Sequence, residues 1–391
     1  MIDYGKVLNS IVTNEIKPSG IRKYFDIANS MEGVISLGVG EPDFPTPWHI
    51  RSAGIVSLEQ SKTRYTANAG MFELREQVSE FLKRKYSLEY DAKTQLLITV
   101  GGSEGIDNAI RAIVSHGDEV IIPQPSFVCY EPLVKLAGGV PVTLELKAEN
   151  EFRLTPEELS EKITDKTKLI IFPFPCNPTG AIMERNDLEK IADVLRGTNI
   201  CVLSDEIYSE LTYGNGRHVS IAEIDGMYER TIVINGFSKT YSMTGWRLGY
   251  VCAPAPIISQ MTKIHQFAIM SAPTTAQYAA IEALKKGDGD IERMRQEYDV
   301  RRRIMVNGFR SLGMECFEPK GAFYTFPSIK ISGLSSDEFC EKLLYSQKVA
   351  VVPGNAFGTC GEGFIRASYC YSTDHIKEAI ERMGIFLREI K

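Results

Sequence analysis

The chain has 391 residues, of which 43% are apolar and 24% are charged, as is usual for a globular protein. This composition excludes a disordered, collagen-like or low-complexity chain, and the length predicts two domains rather than one small core. With 50 acidic and 44 basic residues, the net charge is −6, which gives no general attraction for nucleic acids or anionic membranes. We therefore expect no nucleic-acid partner and no membrane partner.

The cellular compartment is indicated by the N-terminal segment and the cysteines. The segment MIDYGKVLNS lacks a basic region followed by an apolar one, so no secretory signal is predicted. No apolar run approaches the roughly 18 residues that a membrane helix needs. The 8 cysteines are scattered and form no CxxC pair, which favours reduced thiols over a disulfide framework. The expected location is the cytoplasm.

Five short β-branched runs predict strands, at 96–100, 119–123, 168–172, 199–204 and 231–235. They show little alternation of polar and apolar residues, which suits strands that are buried on both faces. Amphipathic segments separate them, and apolar residues spaced by three and four follow the first run. Strands and helices that alternate in this way predict a mostly parallel sheet covered by helices.

The pattern changes after residue 284. A charged segment at 288–313 has apolar residues at helical spacing and predicts a long helix. Three strand-like runs follow at 322–326, 349–353 and 364–369, and an amphipathic helix closes the chain. We predict a smaller α+β domain here.

Several common sites have no support in the sequence. It contains no GxGxxG, no GxxxxGK[ST] and no GxSxG motif, and its 5 histidines lack the spacing of zinc ligands. We therefore expect no metal site. The consecutive arginines at 301–303 favour a solvated helix face over an anion site.

Polar segments follow the predicted strands, where sites form in open α/β sheets. They are GGSEG (101–105), PQPSFVCY (123–130), PFPCNPTG (173–180), Asp205–Tyr208 and Gly236–Lys239. Each alone has an ordinary explanation, such as a turn, a helix cap or a surface lysine. Their shared position predicts that these side chains meet at one edge of the sheet.

Together these segments resemble the class I branch of the pyridoxal-phosphate aminotransferases of fold type I. The resemblance covers essentially the whole chain and looks closest to the aspartate, aromatic and broad-specificity enzymes. Its blocks, in family order, are GVGEPDFPTP (38–47), YTANAG (65–70), CNPTG (176–180), SDEIYSEL (204–211), NGFSKTYSMTGWRLGY (235–250), GAFYTFP (321–327) and FIRASY (364–369).

The resemblance implies an α/β fold with a mostly parallel seven-stranded sheet covered by helices, plus a smaller α+β domain. The large cofactor-binding domain would span 47–284. Residues 1–46 and 285–391 would form the N-terminal segment and the small C-terminal domain. The implied activity is a ping-pong transfer of an amino group to a 2-oxo acid by an enzyme that works as a homodimer with shared sites.

The resemblance also implies roles for three catalytic residues. Lys239 matches the lysine that binds the cofactor covalently and moves a proton during the reaction. Asp205 matches the aspartate that faces the pyridine nitrogen, and Tyr208 matches a group that hydrogen-bonds the phenolic oxygen of the ring. The residues implied to bind the cofactor are Tyr65 from the other subunit, Gly102, Ser103, Glu104, Phe127, Asn177, Asp205, Tyr208, Ser238, Lys239 and Arg247.

Substrate binding is implied at Gly40, Asn177 and Arg366, with Arg366 gripping the α-carboxylate. Ile21, Tyr24 and Phe25 either roof the site or belong to the core of the small domain. The segment 266–277 has no arginine for a distal carboxylate, which argues mildly against strict aspartate specificity.

We predict an aromatic or broad donor range, with glutamate and 2-oxoglutarate as the exchange pair. The alternatives are an aspartate or N-acetyl-diaminopimelate aminotransferase, a β-lyase that uses the same cofactor, or a non-catalytic regulator built on this fold. Gly236 stands where one branch of the family has a serine, so one phosphate donor of that branch is missing.

Overall fold

The protein is described from a computed structural model, in which residues 2, 4–18, 20, 31–214 and 216–390 are described. The predicted apolar roof of Ile21, Tyr24 and Phe25 lies outside these residues. The strands are β1 (Ile35–Ser36), β2 (Leu96–Thr99), β3 (Glu119–Gln124), β4 (Val140–Glu145), β5 (Thr167–Phe172), β6 (Cys201–Asp205), β7 (Thr231–Gly236), β8 (Gly249–Cys252), β9 (Tyr324–Thr325), β10 (Val349–Ala350), β11 (Val352–Pro353) and β12 (Ile365–Ser368).

The described α-helices alternate with these strands in the first two thirds of the chain and enclose the remaining strands after that. They are α1 (Tyr4–Val7), α2 (Ser10–Asn14), α3 (Trp48–Glu59), α4 (Phe72–Tyr86), α5 (Gly101–Ile113), α6 (Tyr130–Leu136), α7 (Pro156–Lys162), α8 (Arg185–Leu195), α9 (Phe237–Thr240), α10 (Ala255–Ala268), α11 (Thr274–Lys286), α12 (Asp288–Ser311), α13 (Ser336–Gln347) and α14 (Thr373–Glu389).

The central sheet has seven strands in the order β2-β8-β7-β6-β5-β3-β4. Only β8 runs antiparallel to its neighbours, β2 and β7, whereas the other pairs are parallel. The prediction of a mostly parallel seven-stranded sheet is therefore confirmed. Every residue of β2, β7 and β8 is buried, as expected for strands covered by helices on both faces.

The sequence runs did not identify two of these strands. Strand β4 lies at the edge of the sheet, begins with the exposed Val140 and contains Pro141, so it lacks the apolar run of a central strand. Strand β8 has only four residues, Gly249 to Cys252, and starts with a glycine. Pairing across the sheet, rather than a local propensity, makes these segments strands.

The helices begin in two different ways. Thr155 and Glu158 form a reciprocal capping box at the start of α7, and Ser335 and Glu338 do the same at α13. Helix α5 instead follows β2 directly, and its N-cap residue, Val100, contributes no side-chain hydrogen bond. The first N–H groups of α5 therefore remain available to another partner.

The predicted α+β region after residue 284 forms around a three-stranded antiparallel sheet in the order β11-β12-β9. Helix α12 is the predicted long helix, whereas the strands are shorter than the apolar runs suggested. The N-terminal part of the chain joins this region, because β1 pairs in parallel with β10.

The prediction that the arginines at 301–303 form a solvated helix face is wrong for two of them. Arg301 and Arg302 are each only 6% exposed. Arg301 donates to both carboxylate oxygens of Asp43 at 2.8 Å, and Arg302 donates to Asp299 and Glu318, each at 2.7 Å. Carboxylates from the same helix and from outside it neutralise these guanidinium groups, so the two arginines form structural ion pairs rather than an anion site.

Two kinds of feature are missing from the described part of the chain. None of its helices is long and apolar enough to cross a membrane. Among the same residues, no group of three His, Cys, Asp or Glu side chains is placed to hold a metal ion.

Candidate active site

The polar segments that follow the strands surround one cavity of about 330 Å³. It lies where the sheet, the start of α5 and the small α+β region meet. Most of the predicted site residues line it: Gly40, Gly102, Ser103, Phe127, Asn177, Asp205, Tyr208, Ser238, Lys239, Arg247 and Arg366. The structure thus brings together residues that are far apart in the sequence.

Lys239 lies on the one-turn helix α9, which follows β7 directly. Its Nζ donates to the carbonyl oxygen of Gly40 at 2.7 Å. Burial lowers the pKa of Lys239 to about 8, partly offset by Cys370 and Glu41. A fraction of this amine is therefore neutral near physiological pH and can act as a nucleophile or a base.

Asp205 ends strand β6 and is buried at one side of the cavity. Its carboxylate accepts the Tyr130 hydroxyl at 2.7 Å and the Ile207 N–H at 3.3 Å. Burial raises the pKa of Asp205, and these two hydrogen bonds act in the opposite direction. Tyr130 was missed as a site residue, although it lies in the segment PQPSFVCY that the strand pattern singled out.

The start of helix α5 forms another wall of the cavity through Gly102 and Ser103. Gly101 has a positive φ of +76°, and a Cβ on it would lie 2.6 Å from Nη2 of Arg247. The Arg247 guanidinium therefore lies against the first turn of α5. Free helix N–H groups, a guanidinium and the nearby Ser238 hydroxyl together form a cradle suited to a phosphate.

Arg366 lies in β12, and contacts with neighbouring protein groups fix its guanidinium in place. Its Nη1 donates to Asn177 Oδ1 at 2.8 Å, and its Nη2 donates to the Gly38 carbonyl at 2.6 Å. The guanidinium stacks over Tyr324 at 4.5 Å from the ring centroid and over Phe357 at 4.8 Å. Its Nε is buried and has no hydrogen-bond partner within the described residues.

Tyr324 is a second cavity residue that was missed, although its block GAFYTFP was recognised. Its hydroxyl is 2.9 Å from that of Tyr208. Burial raises the pKa of Tyr208 well above its usual range and that of Tyr324 to about 12. A Cβ on Gly40 would lie only 2.0 Å from the Tyr324 hydroxyl, so this close approach requires a glycine.

The structure leaves two predicted cofactor residues outside the cavity. The Glu104 side chain turns back to accept the Val100 N–H and pairs with His265 instead. Tyr65 is 82% exposed and contacts no part of the cavity in its own chain. For Tyr65, such a position is compatible with a role at a neighbouring subunit.

Comparisons with known proteins decide the family. Residues 32–383 match the family described as "Aminotransferase class I and II". The chain belongs to this family. A Bacillus subtilis (strain 168) protein named YugH is 52% identical over 96% of this chain and 97% of its own length. The aspartate aminotransferase of Pyrococcus abyssi (strain GE5 / Orsay) is 47% identical, over 96% of this chain and 97% of its own.

A solved structure gives the same result for the fold. The aromatic aminotransferase from Pyrococcus horikoshii OT3 superimposes with a TM-score of 0.90 at 45% identity, covering 94% of this chain and 99% of its own. This aminotransferase thus has the fold of the type I pyridoxal-phosphate enzymes, and, as a member of the family, it uses pyridoxal phosphate to transfer amino groups. The predicted fold class, enzyme class and cofactor are confirmed.

The side chains that line the cavity fit pyridoxal phosphate, independently of these comparisons. Asp205 is a buried acid, and no basic side chain of the described residues pairs with it, which suits the protonated nitrogen of a pyridine ring. Lys239 supplies a buried amine of lowered pKa. Phe127 lines the cavity with an aromatic ring, and the cradle at Arg247 suits a phosphate. An acid, an amine, a ring and an anion cradle are the groups that pyridoxal phosphate needs.

Proposed function

We propose that this aminotransferase uses aromatic amino acids or a broad range of donors, with glutamate and 2-oxoglutarate as the exchange pair. The observation that carries this proposal is the arginine content of the cavity. Among the described residues that line it, the arginines are Arg247 and Arg366. One belongs to the phosphate cradle and the other to the carboxylate site, so among the described residues of this chain no third guanidinium is placed to select a second carboxylate.

Lys239 and Asp205 have the central chemical roles in this proposal. Bound pyridoxal phosphate supplies an electron sink for the charge that develops at the substrate Cα. Asp205 would accept a hydrogen bond from the ring nitrogen and would keep that nitrogen protonated. Lys239 would hold the cofactor through its Nζ, and the free amine of Lys239 would carry the proton away from the substrate Cα. Its lowered pKa suits this task because a neutral amine is needed at physiological pH.

Arg366 binds the substrate α-carboxylate in this account. A guanidinium has five N–H groups, and the bonds to Asn177 and Gly38 use two of them. The remaining three, including the buried Nε–H, are enough for a two-point contact with a carboxylate. The Tyr324 ring and the Asn177 amide hold the guanidinium in place, and Gly40 leaves room for the substrate beside them. Tyr208 would hydrogen-bond the phenolic oxygen of the cofactor.

We also propose a homodimer with shared sites. Tyr65 and Phe267 are 82% and 87% exposed, and their segments are joined, because Asn68 donates to the Met270 carbonyl at 2.8 Å. Exposed aromatic residues on one connected surface are typical of interfaces. In the dimer, Tyr65 would contact the phosphate that the partner subunit binds.

The division into domains and the location are parts of the same proposal. Residues 47–284 form the large domain, and residues 1–46 and 285–391 form the small one, which the pairing of β1 with β10 supports. The 8 cysteines are all free, which favours a reducing compartment, and we propose the cytoplasm.

A donor panel tests the substrate range. The kcat/KM of phenylalanine, tyrosine, aspartate and N-acetyl-diaminopimelate is measured with 2-oxoglutarate as the common acceptor. We expect phenylalanine and tyrosine to equal or exceed the other two. A preference of about a hundredfold for aspartate or N-acetyl-diaminopimelate, roughly 2.7 kcal/mol of transition-state discrimination, would overturn the aromatic assignment. Release of pyruvate and ammonia from a cysteine-type substrate without an acceptor would indicate a β-lyase instead.

A further inference from the structure

Glu104 contacts a buried histidine behind the phosphate cradle. The Nδ1 of His265 lies 2.6 Å from Glu104 Oε1, and the His265 side chain is 0% exposed. The other carboxylate oxygen of Glu104 accepts the Val100 N–H, directly before α5 begins. Within the described residues, Nε2 of His265 is buried without a hydrogen-bond partner. The polar contact of the His265 ring is therefore the one between Nδ1 and Glu104.

The Glu104 carboxylate lies close to the position that the negatively charged phosphate would occupy. Glu104 lies in the first turn of α5, and Gly102 and Ser103 of the same turn line the cavity. The positive end of a helix dipole attracts carboxylates and phosphates alike. A carboxylate free to swing toward the cavity would therefore compete with the cofactor phosphate for the same N–H groups and would repel its charge.

We propose that His265 and Glu104 are positioning residues for the cofactor phosphate. The Nδ1–H of His265 holds the Glu104 carboxylate on the Val100 side of the helix and offsets part of its charge. The N–H groups of Gly102 and Ser103 then stay available to the phosphate. This inference rests on the phosphate cradle proposed above and goes beyond it, because neither side chain touches the cavity.

The position of His265 on its own helix supports a hydrogen-bond donor at this place. His265 lies in the last turn of α10, where the negative end of the helix dipole favours a donor or a cation. The Glu104 carboxylate favours a donor from the other side. The dipole of α10 and the Glu104 carboxylate thus both favour an N–H group of His265 that faces Glu104.

If the contact between Glu104 and His265 had a purely structural role, that role would be to hold α5 against α10. The chain offers a matched control for this alternative. Asn108, one turn after Glu104 on α5, donates to the Met261 carbonyl of α10 at 3.0 Å. This bond joins the same two helices without a charge, and Asn108 is buried as well. Loss of the Asn108 bond should lower stability without a specific effect on phosphate binding.

The test measures cofactor binding rather than activity. The cofactor-free protein is titrated with pyridoxal phosphate and, separately, with pyridoxal, which lacks the phosphate. His265→Leu removes the donor, whereas His265→Asn keeps an N–H close to the position of Nδ1. We expect His265→Leu to raise the Kd of pyridoxal phosphate at least tenfold while the Kd of pyridoxal changes less than twofold. His265→Asn should stay within about threefold of the wild type for both ligands.

The double variant His265→Leu with Glu104→Gln removes the competing charge. We expect it to recover pyridoxal-phosphate affinity to within about threefold of the wild type, and this variant keeps the test valid if His265→Leu alone does not fold. Asn108→Ala should lower the Tm but leave the ratio of the two affinities unchanged. Equal losses for both ligands in His265→Leu, or no recovery in the double variant, would overturn the inference. A wild-type protein that binds pyridoxal as tightly as pyridoxal phosphate would instead overturn the proposed cradle.

Discussion

The carbonyl oxygen of Gly40 accepts a hydrogen bond from Nζ of Lys239 at 2.7 Å, although the two residues are 199 positions apart in the sequence. This contact joins the N-terminal segment to the central sheet at the reacting amine. This hydrogen bond favours the protonated amine, but the effect of burial on Lys239 outweighs it. Burial accordingly lowers the pKa of Lys239 to about 8.

The lowered pKa of Lys239 can be measured in the cofactor-free protein. Only the neutral amine reacts with acetic anhydride, so the labelling of Lys239 should rise about tenfold per pH unit below its pKa and level off above it. Competitive acetylation followed by peptide mass spectrometry should give half-maximal labelling near pH 8. An ordinary lysine titrates near 10.4, and a midpoint there would show that burial does not shift this amine.

Gly40 should not tolerate a side chain. A Cβ would lie 2.0 Å from the Tyr324 hydroxyl and would displace the ring that supports Arg366 and Tyr208. We expect Gly40→Ala to lower kcat/KM at least tenfold, about 1.4 kcal/mol, mainly through a higher KM for the donor. Gly289→Ala is the control, because a Cβ there meets no atom within 4 Å. Equal kinetics for the two variants would contradict the packing described here.

Local patterns in the sequence predicted the buried strands and the polar segments that follow them, whereas cavity residues such as Gly40 and Arg366 were implied by the resemblance to the aminotransferase family. Apolar runs identify β5 and β7, and the polar residues that end such strands must meet at one sheet edge. Long-range contacts were beyond this reasoning. The orientation of Glu104 depends on His265, and the burial of Arg301 depends on Asp43, 258 positions away. Strand β4 is defined by its pairing with β3 rather than by its own residues.

Asp205 should be required for the chemistry rather than for cofactor binding. Asp205→Ala should still bind pyridoxal phosphate, because the cradle at Arg247 is intact, but it no longer holds the ring nitrogen protonated. We expect the half-reaction with the amino donor, followed by stopped-flow absorbance, to slow at least a hundredfold. Tyr130→Phe removes only the 2.7 Å hydrogen bond to Asp205 and should slow it far less. Wild-type half-reaction rates in Asp205→Ala would rule out the proposed role.

Shared sites can be tested by mixing two inactive proteins. In a mixed dimer of Tyr65→Ala and Lys239→Ala, one site combines an intact Lys239 with an intact Tyr65 from the other chain. The second site carries both substitutions and is inactive. Unfolding and refolding the two variants together should therefore restore activity to well above that of either alone. Refolding each variant by itself is the control. An active monomer in sedimentation at micromolar concentration, or no recovery on mixing, would exclude shared sites.

Lys239 is the residue that we propose to bind the cofactor covalently. The most direct measurement is borohydride reduction of the cofactor-loaded protein, followed by proteolysis and mass spectrometry of the modified peptide. We expect the pyridoxyl group on Lys239 of the wild-type protein. The Lys239→Ala variant should carry no such modification, and its transamination rate should be lower by several orders of magnitude. A pyridoxyl group on another lysine, or near-normal transamination by Lys239→Ala, would contradict the account.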